Sequence, residues 1–334
     1  MRTRSRLLWI LGGLAGVVML CAVWIPLPYY SRGPGPASEV VPLISVEGRP
    51  TYDSGTFIST TISYRQLTAV LAVLAWIHPD RDVIEQGDLY PGGQTVAQER
   101  SRSLSQMDSS KIAATSVVLS ELSAYPKDHG EGVLIETVFQ DCPAEGRLFP
   151  GDLVESIGGT PISDIEDASD AIEAVATGDP LRFHVSAGGE DHGVTVTRGA
   201  CPGADRPVVG ISMVNAFPFE VEIASGDVGG PSAGLMWGLG LYDLLTPGDL
   251  TEGRLVVGTG TMLADGTVGP IGGISDKIVA ARDAGARLFL VPRENLVEAE
   301  TADRGDMQLI PVGTFEEALE GLGVHPSSAA PSAA

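Results

Sequence analysis

The hydrophobic pattern begins with 19 consecutive uncharged residues, 7–25. At about 1.5 Å of helix per residue, this run is long enough to cross a bilayer core of about 30 Å. Arg2, Arg4 and Arg6 precede it and all acidic residues follow it, so the positive-inside rule places the N-terminus in the cytoplasm and the body outside. We therefore predict a single-pass membrane helix. The alternative is a cleaved signal peptide, whose apolar region is usually about 7–15 residues long.

After this run the pattern alternates between β-like and helical segments. Stretches rich in Val, Ile and Thr predict strands at 40–46 and 56–64. Apolar residues at helical spacing predict helices at 66–77 and 108–122. Four of the ten residues in 29–38 are Gly or Pro, and we interpret this segment as a stiff polar linker.

A β-rich pattern follows, with a strand at 132–139, a helix near 165–176 and two strands at 181–185 and 193–198. Its turns contain Pro143-Ala144, Gly151-Asp152 and Gly158-Gly159. In this order the features resemble a bacterial PDZ domain.

The PDZ resemblance implies that an extended peptide adds as a strand beside 133–139. The peptide contacts predicted on this basis are Gly132, Val133, Leu134 and Ile135. The alternative is a β-domain that serves only as a spacer. Cys142 and Cys201 flank the region, and either a disulfide or two buried free thiols is compatible with their positions.

The charge balance narrows the range of partners. Lys and Arg number 21 against 43 Asp and Glu, for a formal net charge of −22. Nucleic acid is excluded as a partner, because a phosphate backbone is held by clustered basic residues. Only three of the basic residues are lysines, Lys111, Lys127 and Lys277, so each lysine needs a reason beyond solubility.

Candidate chemistry begins at Ser232, in the sequence Gly229-Gly-Pro-Ser-Ala-Gly234 before an apolar helix. Unpaired N–H groups at such a helix start can bind a developing oxyanion. By itself the pattern also fits a tight turn that caps a helix. It matches the nucleophile elbow of α/β-hydrolases too, but the only histidine downstream is His325, in a tail predicted to be disordered, so a Ser-His-Asp triad lacks its base.

Lys277 is the alternative base. It lies in the predicted first turn of an apolar helix that follows Gly272-Gly273. Desolvation and the positive end of a helix both lower a lysine pKa, which is what a general base for a serine requires. The competing interpretation is a surface lysine. The stretch lacks Gly-Lys-Ser/Thr, so we expect no ATP site.

Four motifs together resemble the proteolytic domain of Lon-type serine peptidases: Gly230-Pro-Ser-Ala-Gly234, Thr259-Gly-Thr261, Gly269-Pro-Ile-Gly-Gly-Ile274 with Lys277, and Val291-Pro-Arg-Glu-Asn295. The whole chain resembles the membrane-anchored, PDZ-containing bacterial branch of these peptidases. The resemblance implies Ser232 as nucleophile, Lys277 as base and Thr259 as the residue that orients the lysine. The amides around Ser232, with Gly230 and Ala233 as supporting residues, would form the oxyanion hole. Gly229 stands where ATP-dependent members carry an acidic residue, and Asp227 lies two residues further away.

The segment 103–114 resembles the helix that precedes the serine strand in Lon proteolytic domains. We therefore expect residues 40–125 to belong to the protease, with the PDZ domain inserted into it. The alternative is a separate small N-terminal domain.

The predicted fold class is an α/β (α+β) Lon-type proteolytic domain with a PDZ domain, inserted or preceding, and one N-terminal transmembrane helix. The predicted segments are 1–31 with the membrane helix, 32–39 as linker, 40–126 completing the protease, 127–200 as PDZ domain, 201–323 as proteolytic domain and 324–334 as a disordered tail.

The predicted function is ATP-independent, membrane-tethered proteolysis of extracytoplasmic or membrane-proximal proteins that the PDZ domain recruits. The expected partners are protein or peptide substrates and the membrane, with a homo-oligomeric ring as a possibility that the resemblance raises, and no metal or cofactor is expected. The alternatives are a PDZ scaffold on a catalytically silent protease fold and an esterase-like hydrolase, which the missing histidine disfavours.

Overall fold

The computed structural model describes residues 19–52, 55–78 and 80–324, together with Trp9, Gly13, Gly16 and Val17. The strands are β1 Pro26–Glu39, β2 Ile44–Val46, β3 Thr56–Thr68, β4 Asp82–Glu85, β5 Val133–Val138, β6 Leu153–Ile157, β7 Thr160–Pro161, β8 Pro180–Ala187, β9 Glu190–Thr197, β10 Ile211–Asn215, β11 Val221–Ile223, β12 Leu255–Gly258, β13 Thr261–Met262, β14 Val268–Gly269, β15 Leu288–Pro292 and β16 Gln308–Val312. The α-helices are α1 Ala69–Ile77, α2 Gln86–Leu89, α3 Val96–Leu122, α4 Ile165–Ala174, α5 Gly234–Leu245, α6 Ile274–Asp283, α7 Leu296–Thr301 and α8 Phe315–Gly321.

The predicted membrane helix at 7–25 lies largely outside the described residues, as does the predicted tail at 324–334, of which only Val324 is described. The part of the apolar run that is described is helical at 19–24, up to the start of β1. Among the described residues, no helix combines the length and the apolar character needed to cross a membrane.

A six-stranded mixed sheet organises the larger unit, in the order β16-β15-β12-β3-β1-β4. The first four strands are parallel, and β1 and β4 are antiparallel to their neighbours. All five residues of β15 are buried, as expected for a parallel strand covered on both faces.

The two faces of this sheet carry separate hydrophobic cores. Phe57, Val256 and Leu290 contribute to a core that also contains α3, α5 and α8. Their sequence neighbours Ile58 and Val257 contribute to a second core with α6 and α7. Because side chains alternate along a strand, the sheet forms the middle layer of an α/β arrangement with helices on both sides.

The linker predicted at 32–39 is wrong, because these residues lie within β1 and pair with β3. The Gly and Pro residues indicated a chain without partners, but β4 pairs only with Tyr29–Arg32 of β1 and leaves the later part at the sheet edge. Pro34 and Pro36 are tolerated there, at a shift in register, since an edge strand does not need every N–H.

Helix boundaries also differ from the pattern. β3 continues to Thr68, and α1 starts at Ala69 rather than at 66. The helix predicted at 108–122 begins much earlier, at Val96, where Thr95 and Gln98 form a reciprocal capping box. Its polar first turns hid it from a search for apolar periodicity.

A smaller antiparallel sheet forms a second unit, in the order β10-β5-β6-β8-β9, with α4 packed on it and its own core. Cys142 and Cys201 form a disulfide within this unit. The unit leaves and rejoins the larger one at a single place, where Gly130 N donates to Ala216 O and Ala216 N donates to Gly132 O, at 2.9 and 3.0 Å.

Candidate active site

Ser232 lies in a tight turn that leads into α5. Gly230 adopts a φ of 85°, which a glycine reaches without strain, and Pro231 occupies the first position of the 3₁₀ turn formed with Ser232 and Ala233. From Gly234 to Asp243, α5 is buried throughout. The local sequence therefore places the serine at the surface end of a rigid, buried helix.

Lys277 approaches the serine from the first turn of α6, which follows Gly273 in the left-handed conformation. The side chain is only 3% exposed. Its Nζ donates to Ser232 Oγ at 2.7 Å, to Thr259 Oγ1 at 3.1 Å and to Thr60 O at 3.0 Å. The structure thus brings Ser232, Lys277 and Thr259 into direct contact, as the sequence motifs indicated.

Burial lowers the pKa of Lys277 to about 8. The removal of the ammonium from water disfavours its charged form, and none of the three groups that its Nζ contacts is a carboxylate that would restore the charge. A minor fraction of the lysine, about a tenth at pH 7, is therefore neutral and able to accept a proton from Ser232.

Thr259 connects the Lys277 amine to the backbone of the serine turn. Its hydroxyl donates to Ser232 O at 2.9 Å and accepts from Lys277 Nζ, and the residue is fully buried. The position follows from β12, which ends at Gly258 in the centre of the sheet. This geometry fixes the lysine amine relative to the serine turn.

Three contacts to this site were not predicted, and each comes from far upstream. Thr60 of β3 supplies a backbone carbonyl to Lys277. In α3, Ser103 O accepts from Gly230 N at 2.7 Å and Ser110 Oγ donates to Pro231 O at 2.8 Å. Backbone carbonyls leave no residue signature in a sequence, whereas the resemblance of 103–114 to a Lon helix led to the prediction that α3 belongs to the protease.

The contact to Ser103 bears on the predicted oxyanion hole. Because the Gly230 amide already donates to Ser103 O, it is not available to a substrate oxygen. Gly230 therefore allows the turn to form through its positive φ and does not contribute an amide to the oxyanion hole. The amides of Ser232 and Ala233 are the donors that follow in the turn.

A cleft of about 420 Å³ opens over Ser232 and Lys277. Thr60, Ile62 and Tyr64 of β3 form one wall, and the turn before Ser232 forms another. Asp227, two residues before Gly229, lines the cleft and pairs with Arg100 Nη2 at 2.6 Å on the exposed side of α3.

Asp276 precedes Lys277 on α6, but its carboxylate points elsewhere. It lies 3.1 Å from Arg32 Nε of β1. Burial raises the pKa of Asp276, and the charge of Arg32 opposes this shift. The Asp276 carboxylate therefore does not stabilise the charged form of Lys277.

No metal site adjoins the serine in the described part of the chain. The one group of three metal-capable side chains found there, Glu155, His184 and Asp191, is exposed on the second sheet. Exposed acidic clusters of this kind are common without an ion.

The predicted peptide edge at 133–139 is wrong. Strand β5 pairs with β10 on one side and with β6 on the other, so no edge is free for a peptide. Val133 and Ile135 are fully buried in the core of the second unit, and Gly132 and Leu134 are held in the same ladders. The sequence could not reveal that β10, more than 70 residues later, takes this position.

A protein-family model, the Lon protease (S16) C-terminal proteolytic domain, matches residues 219–322, a range that includes Ser232, Thr259 and Lys277. The chain contains a serine peptidase domain. A Lon protease of Methanosarcina barkeri is 34% identical over 118 residues, which are 32% of this chain and 14% of that protein. Lon protease 2 of Bacillus subtilis is 36% identical over 101 residues, 30% of this chain and 17% of the relative. The chain thus spans less than a fifth of these relatives.

Two solved structures are similar to about a quarter of the chain. They are PDZ domains of SdrC-like proteins from Listeria monocytogenes and Listeria innocua, both 26% identical, with TM-scores of 0.24 and 0.23. Each covers 25% of this chain, which corresponds to 88% and 93% of the respective structure.

Proposed function

We propose that this protein is an ATP-independent serine endopeptidase with a Ser232–Lys277 dyad. The observation that carries the proposal is the 2.7 Å contact between a buried, partly neutral lysine amine and the serine hydroxyl in an open cleft. The matched Lon proteolytic domain supports the same chemistry.

The geometry supports the following sequence of steps. Neutral Lys277 takes the hydroxyl proton as Ser232 Oγ attacks a peptide carbonyl carbon, and the carbonyl oxygen becomes an oxyanion that the amides of the serine turn bind. The resulting ammonium gives its proton to the leaving amine, and the C–N bond breaks. Lys277 then takes a proton from water, whose oxygen attacks the carbonyl carbon of the acyl-enzyme ester. The lysine ammonium returns that proton to Ser232 Oγ as the ester C–O bond breaks, which releases the product acid and restores the serine hydroxyl and the neutral lysine.

The proposed setting is outside the cytoplasm, with residues 7–25 as a single-pass anchor. The disulfide between Cys142 and Cys201 supports an oxidising compartment. The substrates in this setting are extracytoplasmic or membrane-proximal proteins.

We assign recruitment of these substrates to the free edge of β10 rather than to β5. In the described residues no strand pairs with the outer side of β10, and α4 lies beside it, with Asn215 Oδ1 accepting from Ile165 N at 2.9 Å. An extended peptide that adds to β10 would satisfy the open ladder, which is the usual mode of β-augmentation.

The test uses the full chain in detergent micelles with an unfolded protein as substrate and no nucleotide. We expect cleavage by the wild type and by Lys127→Arg, a matched change at an exposed lysine. Ser232→Ala and Lys277→Ala lose activity. Lys277→Arg is also inactive, because a guanidinium remains charged and cannot act as the base.

Equal cleavage by all variants, or cleavage that appears only with ATP, would contradict the proposed ATP-independent dyad mechanism. A wild type that binds unfolded protein without cutting it points instead to the scaffold alternative.

A further inference from the structure

Helix α1 presents an unusual apolar surface. It contains no charged residue, and only Ala75 is buried. The side chains of Val73 and Leu74 are more than half exposed, Ile77 is 67% exposed and Trp76 is 83% exposed. A water-facing helix normally carries polar side chains on this face, so α1 has a surface without a partner.

The position of α1 in the fold indicates what covers this surface. Thr68, whose hydroxyl caps the start of α1, is the strand partner of Pro26. Paired residues on antiparallel strands lie about 5 Å apart. Pro26 follows directly on the apolar run 7–25, so the run and the exposed helix emerge from the same end of the sheet.

The described end of that run does not cover α1. Residues 19–24 are helical, and Met19, Val23 and Trp24 are themselves more than half exposed. Both segments therefore present apolar side chains and an exposed tryptophan at one end of the molecule. Trp is favoured where a hydrocarbon region meets water.

We propose that α1 lies in the outer membrane–water interface beside the anchor, with Val73, Leu74, Trp76 and Ile77 buried among lipid acyl chains. The proposal rests on the anchor in the proposed function. An uncharged helix gains from the burial of apolar area and needs no anionic headgroup, which suits a chain of net charge −22.

This contact would place the catalytic cleft near the membrane. Thr60, which binds Lys277, lies eight residues before Thr68 on the same strand. At about 3.3 Å per residue, the two positions are about 26 Å apart. A second contact besides the anchor would also restrict rotation of the body, so that the cleft keeps one orientation towards the bilayer.

The test measures the depth of Trp76 in the full chain reconstituted into phosphatidylcholine vesicles. In a variant with Trp9→Phe and Trp24→Phe, the remaining tryptophans are Trp76 and Trp237, which is buried in the protein core. We expect phosphatidylcholine brominated near the top of its acyl chains to quench Trp76 strongly and aqueous iodide to quench it little. The fluorescence that brominated lipid quenches should be absent from the variant that carries Trp76→Phe together with Trp9→Phe and Trp24→Phe.

A matched control adds Val297→Trp to the variant without Trp76. Val297 is 78% exposed on α7, so a tryptophan there should respond to iodide and not to brominated lipid.

Each other outcome overturns the proposal in an identifiable way. Quenching of Trp76 by iodide alone, in protein that floats with the vesicles, shows that the anchor holds while α1 faces water. Quenching by neither agent shows that protein covers α1, either a second copy or the chain's own apolar run. Failure of the protein to float with vesicles after carbonate treatment overturns both the anchor and the lipid contact of α1.

Discussion

Among single residues, Lys277 depends most on its surroundings. Its amine is held by one backbone carbonyl and two hydroxyl groups, and it lies away from water. Burial alone accounts for its lowered pKa. The same burial that lets Lys277 act as a base therefore destabilises the folded protein whenever the amine is charged.

The first prediction at this scale concerns the pH dependence of cleavage. Lys277 must be neutral to accept the serine proton, and its pKa is about 8. We expect kcat/KM to rise about tenfold per pH unit below this value and to level off above it. Initial rates between pH 6 and 9.5 on a substrate without titratable groups measure this profile. A rate that is already level at pH 6 would contradict the assignment of Lys277 as the base.

The second prediction concerns stability. Unfolding raises the pKa of Lys277 from about 8 towards 10.5, so at pH 7 the folded protein carries a penalty of about 3 kcal/mol for the buried charge. Between pH 8 and 10.5 the unfolded chain binds more protons than the folded one, and this penalty fades as the pH rises. Lys277→Met should therefore increase the free energy of unfolding at pH 7 while abolishing cleavage.

Urea unfolding of both proteins at pH 7 and pH 10 measures this effect. The gain from Lys277→Met should be smaller at pH 10, and a gain that does not change with pH would show that packing rather than charge causes it.

The third prediction separates positioning from chemistry at Thr259. Thr259→Val keeps the shape of the side chain but removes the hydroxyl that binds both Ser232 O and Lys277 Nζ. We expect kcat to fall about 10- to 100-fold, the loss typical of one hydrogen bond to a charged group. Thr259→Ser restores most of the activity, because the hydroxyl returns. The midpoint of the profile of kcat/KM against pH should shift in the valine variant, an effect that a purely structural role of Thr259 would not produce.

At the scale of elements, the serine turn depends on close contact between α5, α3 and β13. A Cβ built on Gly234 would lie 2.4 Å from Ser110 Oγ and 2.9 Å from Met262 N. No side chain fits between these elements, so the glycine at the start of α5 sets their distance.

Gly234→Ala should destabilise the protein by about 1–3 kcal/mol, the usual cost of overpacking, and should reduce cleavage because it displaces the serine turn. Gly87→Ala is the matched control, since its Cβ would meet nothing within 4 Å. Thermal unfolding and initial rates of both variants measure the difference. Equal stability of the two variants would show that α3 and α5 move apart freely.

Some elements were predictable and others were not, for physical reasons. The apolar helix α5 was predicted because a helix that is buried on nearly all sides consists of apolar residues, whereas no boundaries were predicted for the buried strands β12 and β15. β1 was interpreted as a linker, since its Gly and Pro residues are typical of loops and only its neighbours β3 and β4 make it a strand. The start of α3 was missed because its stability there comes from the cap at Thr95 rather than from an apolar stripe.

At the scale of the whole molecule, one hydrophobic core contains residues that precede the second unit in the sequence and residues that follow it. Val40, Phe57 and Met107 pack with Leu235 and Leu290, and β3 lies between β12 and β1 in the large sheet. This arrangement supports the hypothesis that 40–125 belong to the protease and that the β-rich unit is an insertion.

The insertion hypothesis predicts that the second unit can be removed. Gly130 and Ala216 are joined by a hydrogen bond of 2.9 Å, so a short glycine linker in place of 131–215 spans the gap. The shortened protein should fold and cleave a small peptide, whereas a fragment of residues 202–334 should not fold. That fragment lacks β3, which pairs with β12 and supplies Thr60 O to Lys277.

Circular dichroism and peptide hydrolysis distinguish these results. An active 202–334 fragment would contradict the hypothesis and would favour a separate N-terminal domain.

By itself, the sequence indicated the candidate site: the glycine-rich motifs and the resemblance pointed to Ser232, Thr259 and Lys277, and the scarcity of lysine singled out Lys277. It also determined that 7–25 is apolar and that all acidic residues follow this run. Only the tertiary structure decided which distant strands lie side by side. β10 closes the edge of β5, β1 enters the large sheet, and Thr60 reaches Lys277, because backbone hydrogen bonds form between almost any residues once the chain brings them together.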